Sequence, residues 1–85
     1  MMAYTVTWTP DAEDQLADIW LQANNRASVT VAQARIDSEL RLAPFDKGIE
    51  LSEGLRRITV SPLKVFYEIL DTDRLVRVTA VVHVS

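Results

Sequence analysis

The sequence predicts an α+β fold in the order β-α-α-β-β-β, a helical hairpin packed on one face of a mostly antiparallel four-stranded sheet. Three observations predict it. A short alternating strand-like run is followed at once by a capped helix start; two amphipathic stretches are separated by only a few residues; and the last third of the chain holds three β-rich runs joined by short turns.

The first strand is Tyr4-Thr5-Val6-Thr7-Trp8, in which large or apolar residues alternate with small polar ones. Thr9-Pro10 ends it and opens a helix. Threonine caps, proline suits the first helical position, and Asp11, Glu13 and Asp14 complement the positive end of the helix dipole. Ala12, Leu16, Ile19, Trp20 and Ala23 form one apolar stripe, and Asn24-Asn25 is the expected stop. A second helix is expected to begin near Ser28 or Thr30, to carry Val29, Ala32, Ile36, Leu40 and Ala43 on one side, and to end at Pro44. The short connection makes the helices antiparallel.

Phe45 to Gly54 reads as a loop. Leu55 to Val60, Lys64 to Leu70 and Leu75 to Val84 then read as three strands, separated by Ser61-Pro62 and by Asp71-Thr72-Asp73. In the last of these, strict alternation puts Val76, Val78, Ala80, Val82 and Val84 on one face, expected to receive the helices. The same alternation puts Leu75, Arg77, Thr79, Val81 and His83 on the other. No repeat or linker interrupts residues 1–85, which are expected to form a single domain.

Composition narrows the function. The absence of cysteine removes disulfides and thiolate chemistry and fits a reducing cytoplasm. One histidine without cysteine does not make an ordinary zinc site, and glycines only at 48 and 54 leave no phosphate loop, so no metal and no cofactor are expected. Met1 to Thr9 lacks the features of a secretory signal, and Val78 to Val82 is far too short to span a bilayer, so neither export nor a membrane role is expected. Net charge is −3, which argues against sequence-independent binding to nucleic acid. The charge is uneven: residues 1–45 carry three Lys/Arg against six Asp/Glu, residues 46–85 six of each, and Arg56, Arg57 and Lys64 stand in a stretch without acids. An anion site belongs in this second half.

Several residues in this order resemble the RelE/ParE superfamily of type II toxins, also known as plasmid stabilisation proteins. Glu53-Gly54-Leu55-Arg56-Arg57-Ile58 looks like the family's arginine strand, and Pro62-Leu63-Lys64-Val65-Phe66-Tyr67-Glu68-Ile69 like its basic-apolar-apolar-tyrosine strand. The valine-rich run from Val76 to His83 and the Thr9-Pro10-Asp11-Ala12 helix entry also fit. The resemblance covers nearly the whole chain. It implies a RelE/ParE-like fold, a cognate antitoxin partner that silences the toxin, and one of two activities: inhibition of DNA gyrase, or cleavage of mRNA on the ribosome.

Metal-free RNA cleavage needs a base, cations for the phosphorane and an acid. Alignment with nuclease members offers Glu50 or Glu53 near the base position, Arg57 and Lys64 for the phosphate, and His83 as the acid, while Arg56, Arg57, Lys64 and Arg77 form the wider phosphate- or target-binding set. Against these stand ordinary readings: arginines as solvated strand residues, His83 as an edge residue, Glu50 and Glu53 as loop residues, Tyr67 as a core tyrosine with its hydroxyl at the rim, and Trp20 as packing in the core or beneath an antitoxin. Two departures weigh against cleavage. Nuclease members commonly carry a tyrosine or arginine after the last strand, where this sequence has Val84-Ser85, and a sequence pI near 4.9 suits rRNA poorly. A ParE-like growth inhibitor acting on a protein such as DNA gyrase therefore ranks above a RelE-like ribosome-dependent endoribonuclease. A non-toxic antitoxin-binding or homodimer-forming module is the third reading.

Overall fold

A computed structural model describes residues 3–84. The elements are β1 (Thr5–Trp8), α1 (Pro10–Gln22), α2 (Arg26–Leu42), β2 (Ile49–Ser52), β3 (Leu55–Val60), β4 (Leu63–Leu70), a 3₁₀ turn (Asp71–Asp73) and β5 (Leu75–His83). The strands form one sheet in the order β1-β5-β4-β3-β2. β1 runs parallel to β5, and every other neighbouring pair is antiparallel. The α+β class with a helical hairpin on one face is the predicted one.

The helices begin where side-chain oxygens satisfy free backbone N–H groups. Thr9 Oγ1 accepts from the Ala12 amide at 3.2 Å, with Pro10 at the first helical position. Asn25 Oδ1 accepts from the Ser28 amide at 3.1 Å, so α2 starts at Arg26, earlier than Ser28. Asn25 thus starts the second helix rather than stopping the first. Arg26 closes the end of α1: its Nε donates to Trp20 O and its Nη2 to Leu21 O, both at 3.0 Å, which places a cation at the negative helix end.

The predicted α2 stripe is buried, with Val29, Ala32, Ile36 and Leu40 no more than 1% exposed. On α1 the tightest contact is Ala12, fully buried where the helix meets β5. These residues pack on Ile58, Leu63, Val65, Tyr67, Val76, Val78 and Val81 of the sheet. Burial of each large aliphatic contributes about 1.5–3 kcal/mol. Trp20 lies outside this core at 40% exposure, with the Arg26 guanidinium 4.7 Å above its ring.

A fifth strand, β2, occupies part of the stretch expected to be loop. Ile49 to Ser52 are all exposed, so burial writes no pattern into them. Pairing with β3 through a turn at Gly54 (φ +82°) holds this edge instead. The Ser61–Pro62 peptide between β3 and β4 is cis.

At the start of β1, Tyr4 ties the strand to the turn between β4 and β5 and to the loop after α2. Its hydroxyl donates to Asp71 Oδ1 at 2.5 Å, its ring meets Phe45 edge-on at 6.3 Å, and the Arg74 guanidinium lies 4.4 Å from the ring centre. The hydrogen bond to Asp71, aided by burial and by the carboxylate charge, pushes the Tyr4 hydroxyl above its ordinary pKa, with Arg74 opposing.

Candidate target-binding face

The helices cover one face of the sheet and leave the other bare. Strand register sorts the side chains between them. Ile58, Val65 and Tyr67 are buried under the helices, so their neighbours Arg57, Thr59, Lys64 and Phe66 stand on the open face. The pairings build rows across it. Ile49, Arg57, Phe66 and Ala80 form one row over four strands, Thr59, Lys64 and Val82 the next, and Glu68, Arg77 and Thr7 another.

Arg57 and Lys64 are therefore diagonal neighbours, on the order of 7 Å apart by strand geometry. Among the described residues neither takes part in an ion pair. Arg77 does: its Nη1 lies 3.0 Å from Glu68 Oε1, with both side chains well solvated. Such a pair contributes at most about 1 kcal/mol and neutralises both charges locally.

The strict alternation expected along β5 fails at one point. Phe66 pairs with Ala80 while Tyr67 pairs with Val78, so Thr79 is an extra residue in β5. This β-bulge reverses the face of everything after it. Val76 and Val78 remain on the helix side, but Val81 now joins them at 2% exposure, and Ala80 and Val82 move to the open face. The expectation that Val76, Val78, Ala80 and Val82 share the helix-packed face is corrected accordingly. Ala80-Val81-Val82 is apolar throughout and fits either phase, so hydrophobicity alone does not reveal the slip. Past the end of β1, Gln15 Oε1 of α1 accepts from the Val81 amide at 2.9 Å.

The bulge also moves His83. It pairs with the fully buried Leu63, which puts it on the helix side, where it lines a cavity of about 610 Å³ with Asp18, Gln22, Asn24, Ser28 and Pro62. The grouping of His83 with Arg77 on the open side is thus overturned. The structure brings Arg57 and Lys64 together and leaves the sheet between them and His83.

Arg56 points the same way as Tyr67, towards the helix side. Its Nη2 donates to Phe45 O at 2.9 Å and Lys47 O at 3.4 Å, and its Nε to the Tyr67 hydroxyl at 3.4 Å. That hydroxyl has one proton and two carbonyls in reach, Lys47 O at 2.7 Å and Pro44 O at 3.0 Å. Tyr67 is a core tyrosine, fully buried, and Arg56 is the clamp of the loop between α2 and β2. Glu50 pairs in register with Arg56, and Glu50 and Glu53 are both exposed.

A second surface was foreseen only through Trp20, read as packing in the core or beneath an antitoxin. Between α1 and α2 lies a groove of about 490 Å³ lined by Trp8, Leu16, Trp20, Leu21 and Val29, with Glu13 and Asp37 among its polar groups. Trp8 Nε1 donates to Asp37 Oδ1 at 3.0 Å. Trp20 and Leu21 remain 40% and 60% exposed, so Trp20, expected on the buried stripe of α1, faces this groove instead.

A helical hairpin on one side of a five-stranded sheet is the fold of the RelE/ParE superfamily of type II toxins. The toxin–antitoxin complex RelBE2 of Mycobacterium tuberculosis is similar with a TM-score of 0.81 at 21% identity, covering 98% of this chain and 93% of that one. The chromosomal ParDE system of P. aeruginosa gives 0.71 at 14% identity, covering 96% and 97%. The isolated E. coli RelE toxin gives 0.60 at 13% identity, covering 98% and 86%. Among proteins of curated function, none matches the chain. The chain itself belongs to the ParE toxin family: residues 6–85 match the family of the ParE toxin of the type II toxin–antitoxin system, parDE. It is a type II toxin. Among the described residues no helix is long and apolar enough to cross a membrane.

Proposed function

We propose that this toxin arrests growth by binding a protein target, DNA gyrase, rather than by cutting mRNA on the ribosome. One observation carries this reading: Arg57 and Lys64 lie on the open face, while His83 lies opposite Leu63 on the helix side. General acid catalysis requires the proton donor within about 3 Å of the leaving oxygen, directly or through one water. A phosphate held at Arg57 and Lys64 has the sheet between it and the imidazole. The net charge of −3 adds to this, because approach to rRNA is disfavoured.

The test is a supercoiling assay with purified gyrase beside an mRNA-cleavage assay on translating ribosomes. Loss of supercoiling without cleavage is expected. Intact supercoiling at a large excess of toxin, together with growth arrest abolished by His83→Ala, reverses the assignment.

A cognate antitoxin completes the reading, as in the RelBE2 and ParDE systems, which are named as toxin–antitoxin pairs. The groove between α1 and α2 suits an amphipathic helix: Trp20 and Leu21 offer apolar area, and Glu13 and Asp37 favour basic flanking residues. Leu21→Asp is expected to release the antitoxin by at least ~10-fold, read by co-purification.

A further inference from the structure

We propose that the open face of the sheet is where the growth-inhibition target docks, and that it takes an acidic, apolar-bearing protein segment, with carboxylates at Arg57 and Lys64 and apolar side chains over Phe66 and Val82. This rests on the toxin reading above and adds to it the surface and the chemistry of what it binds.

The first argument is charge. The face carries three cations, Arg57, Lys64 and Arg77, against one acid, Glu68, which Arg77 already neutralises. The chain as a whole is at −3, and α1, in the layer on the other side of the sheet, carries Asp11, Glu13, Asp14 and Asp18 with no cation. The molecule is thus bipolar. An acidic partner is repelled by the helix layer and drawn to the sheet, which orients the encounter before contact.

The second argument separates protein from nucleic acid. Two free cations release about two counterions, which gives a shallow salt slope of about −1.8 on duplex and weak phosphate binding. The same face exposes apolar area, with Ile49 at 57% and Val82 at 43%, beside half-buried Phe66 and Ala80 in the row of Arg57. Apolar residues alternating with guanidinium and ammonium groups complement a segment whose leucine- or phenylalanine-like side chains alternate with carboxylates.

The third argument separates target from antitoxin. The helical groove, with Trp20 and Leu21 exposed, has the character of a long-held interface, whereas half-buried, unpaired charge suits a partner that is engaged and released. Because the two surfaces lie on opposite sides of the sheet, substitutions read them separately.

Two measurements test the proposal. Isotope-labelled toxin is titrated with a synthetic peptide of alternating glutamate and leucine, with a glutamine-for-glutamate version and a single-stranded RNA oligomer as comparisons. Expected are amide shifts confined to residues around Arg57, Lys64, Phe66 and Val82, lost with the glutamine peptide and at about 0.5 M salt. Shifts on α1 and α2, no shift at all, or tighter binding of the RNA overturn it. In cells, Arg57→Glu with Lys64→Glu is expected to weaken arrest about 100-fold, at about tenfold per cation, while antitoxin still co-purifies. The matched reversal Arg35→Glu on α2 leaves arrest unchanged. Arrest surviving the double reversal, or loss of antitoxin in its place, overturns the assignment to the target. Retained antitoxin binding and an unchanged thermal midpoint show that the double variant is folded. A wild-type chain that causes no arrest defeats the toxin reading itself, and the peptide titration then still decides the chemistry of the face.

Discussion

The two faces of this sheet are made by the same strands, yet their residues obey different constraints. Under the helices, Ile58, Leu63, Val65, Tyr67, Val76, Val78 and Val81 are at most 5% exposed, and each position accepts only what packs. On the open side, Arg57, Thr59, Lys64, Phe66, Glu68 and Arg77 pack against no helix, and charge stands beside aromatic. The difference teaches where to look for function. A large residue on the covered face is explained by the core alone, whereas an unpaired cation beside an apolar row is not required by folding.

Val81 and Val82 break or sharpen this comparison most strongly. They are adjacent in sequence, but at 2% and 43% exposure the bulge at Thr79 assigns them to opposite faces. Val81→Asp buries a carboxylate without a partner and is expected to cost about 4 kcal/mol or to prevent folding. Val82→Asp is expected to cost under about 1 kcal/mol. Denaturant unfolding of the two variants checks this, and equal losses, or the reverse order, deny the bulge.

The two glycines give a smaller contrast. Both have positive φ, +76° at Gly48 and +82° at Gly54, so alanine strains the backbone at either by about 1 kcal/mol. Only Gly48 is also crowded. A Cβ there lies 2.5 Å from Arg57 O and 2.7 Å from the Tyr67 hydroxyl, while at Gly54 nothing stands within 4 Å. Gly48→Ala is expected to cost about 2–3 kcal/mol and Gly54→Ala about 1, measured by the same unfolding curves. Equal costs mean that the loop carrying Pro44 and Lys47 yields freely, and that the Arg56–Tyr67 clamp is loose.

Most of the covered face was legible in the sequence. Periodicity named Val29, Ala32, Ile36 and Leu40 as the buried stripe of α2, and Thr9-Pro10 marked the start of α1, because burial and capping leave direct traces in residue type. Three features were not legible for physical reasons. β2 is exposed on every residue, so only its pairing with β3 defines it. The bulge falls beside the uninterrupted apolar run Ala80-Val81-Val82, which satisfies both alternation phases. Asn25 fits the end of one helix as well as the start of another, and only its bond from the Ser28 amide distinguishes them. For the site, Arg57 and Lys64 are diagonal neighbours on the open face, but one slipped residue separates His83 from them, and the neighbouring Arg56 is the loop clamp.

The smallest expected effect lies at the edge of the covered face, where Tyr4 ties β1 to the turn before β5. Its hydroxyl is held protonated by the bond to Asp71, so its folded-state pKa stands above the value of about 10 found in an unfolded chain. The sign follows from linkage. A group whose pKa rises on folding contributes stability that is fully present below about pH 10 and is lost as pH climbs through the folded value. Tyr4→Phe removes both the bond and the titration, so the variant is expected to be slightly less stable near neutrality and to lose less than the parent as the pH rises above about 10. Parallel unfolding curves for parent and variant across that range, with no convergence, would show that the Tyr4–Asp71 contact contributes nothing in solution and that β1 is held by its ladder to β5 alone.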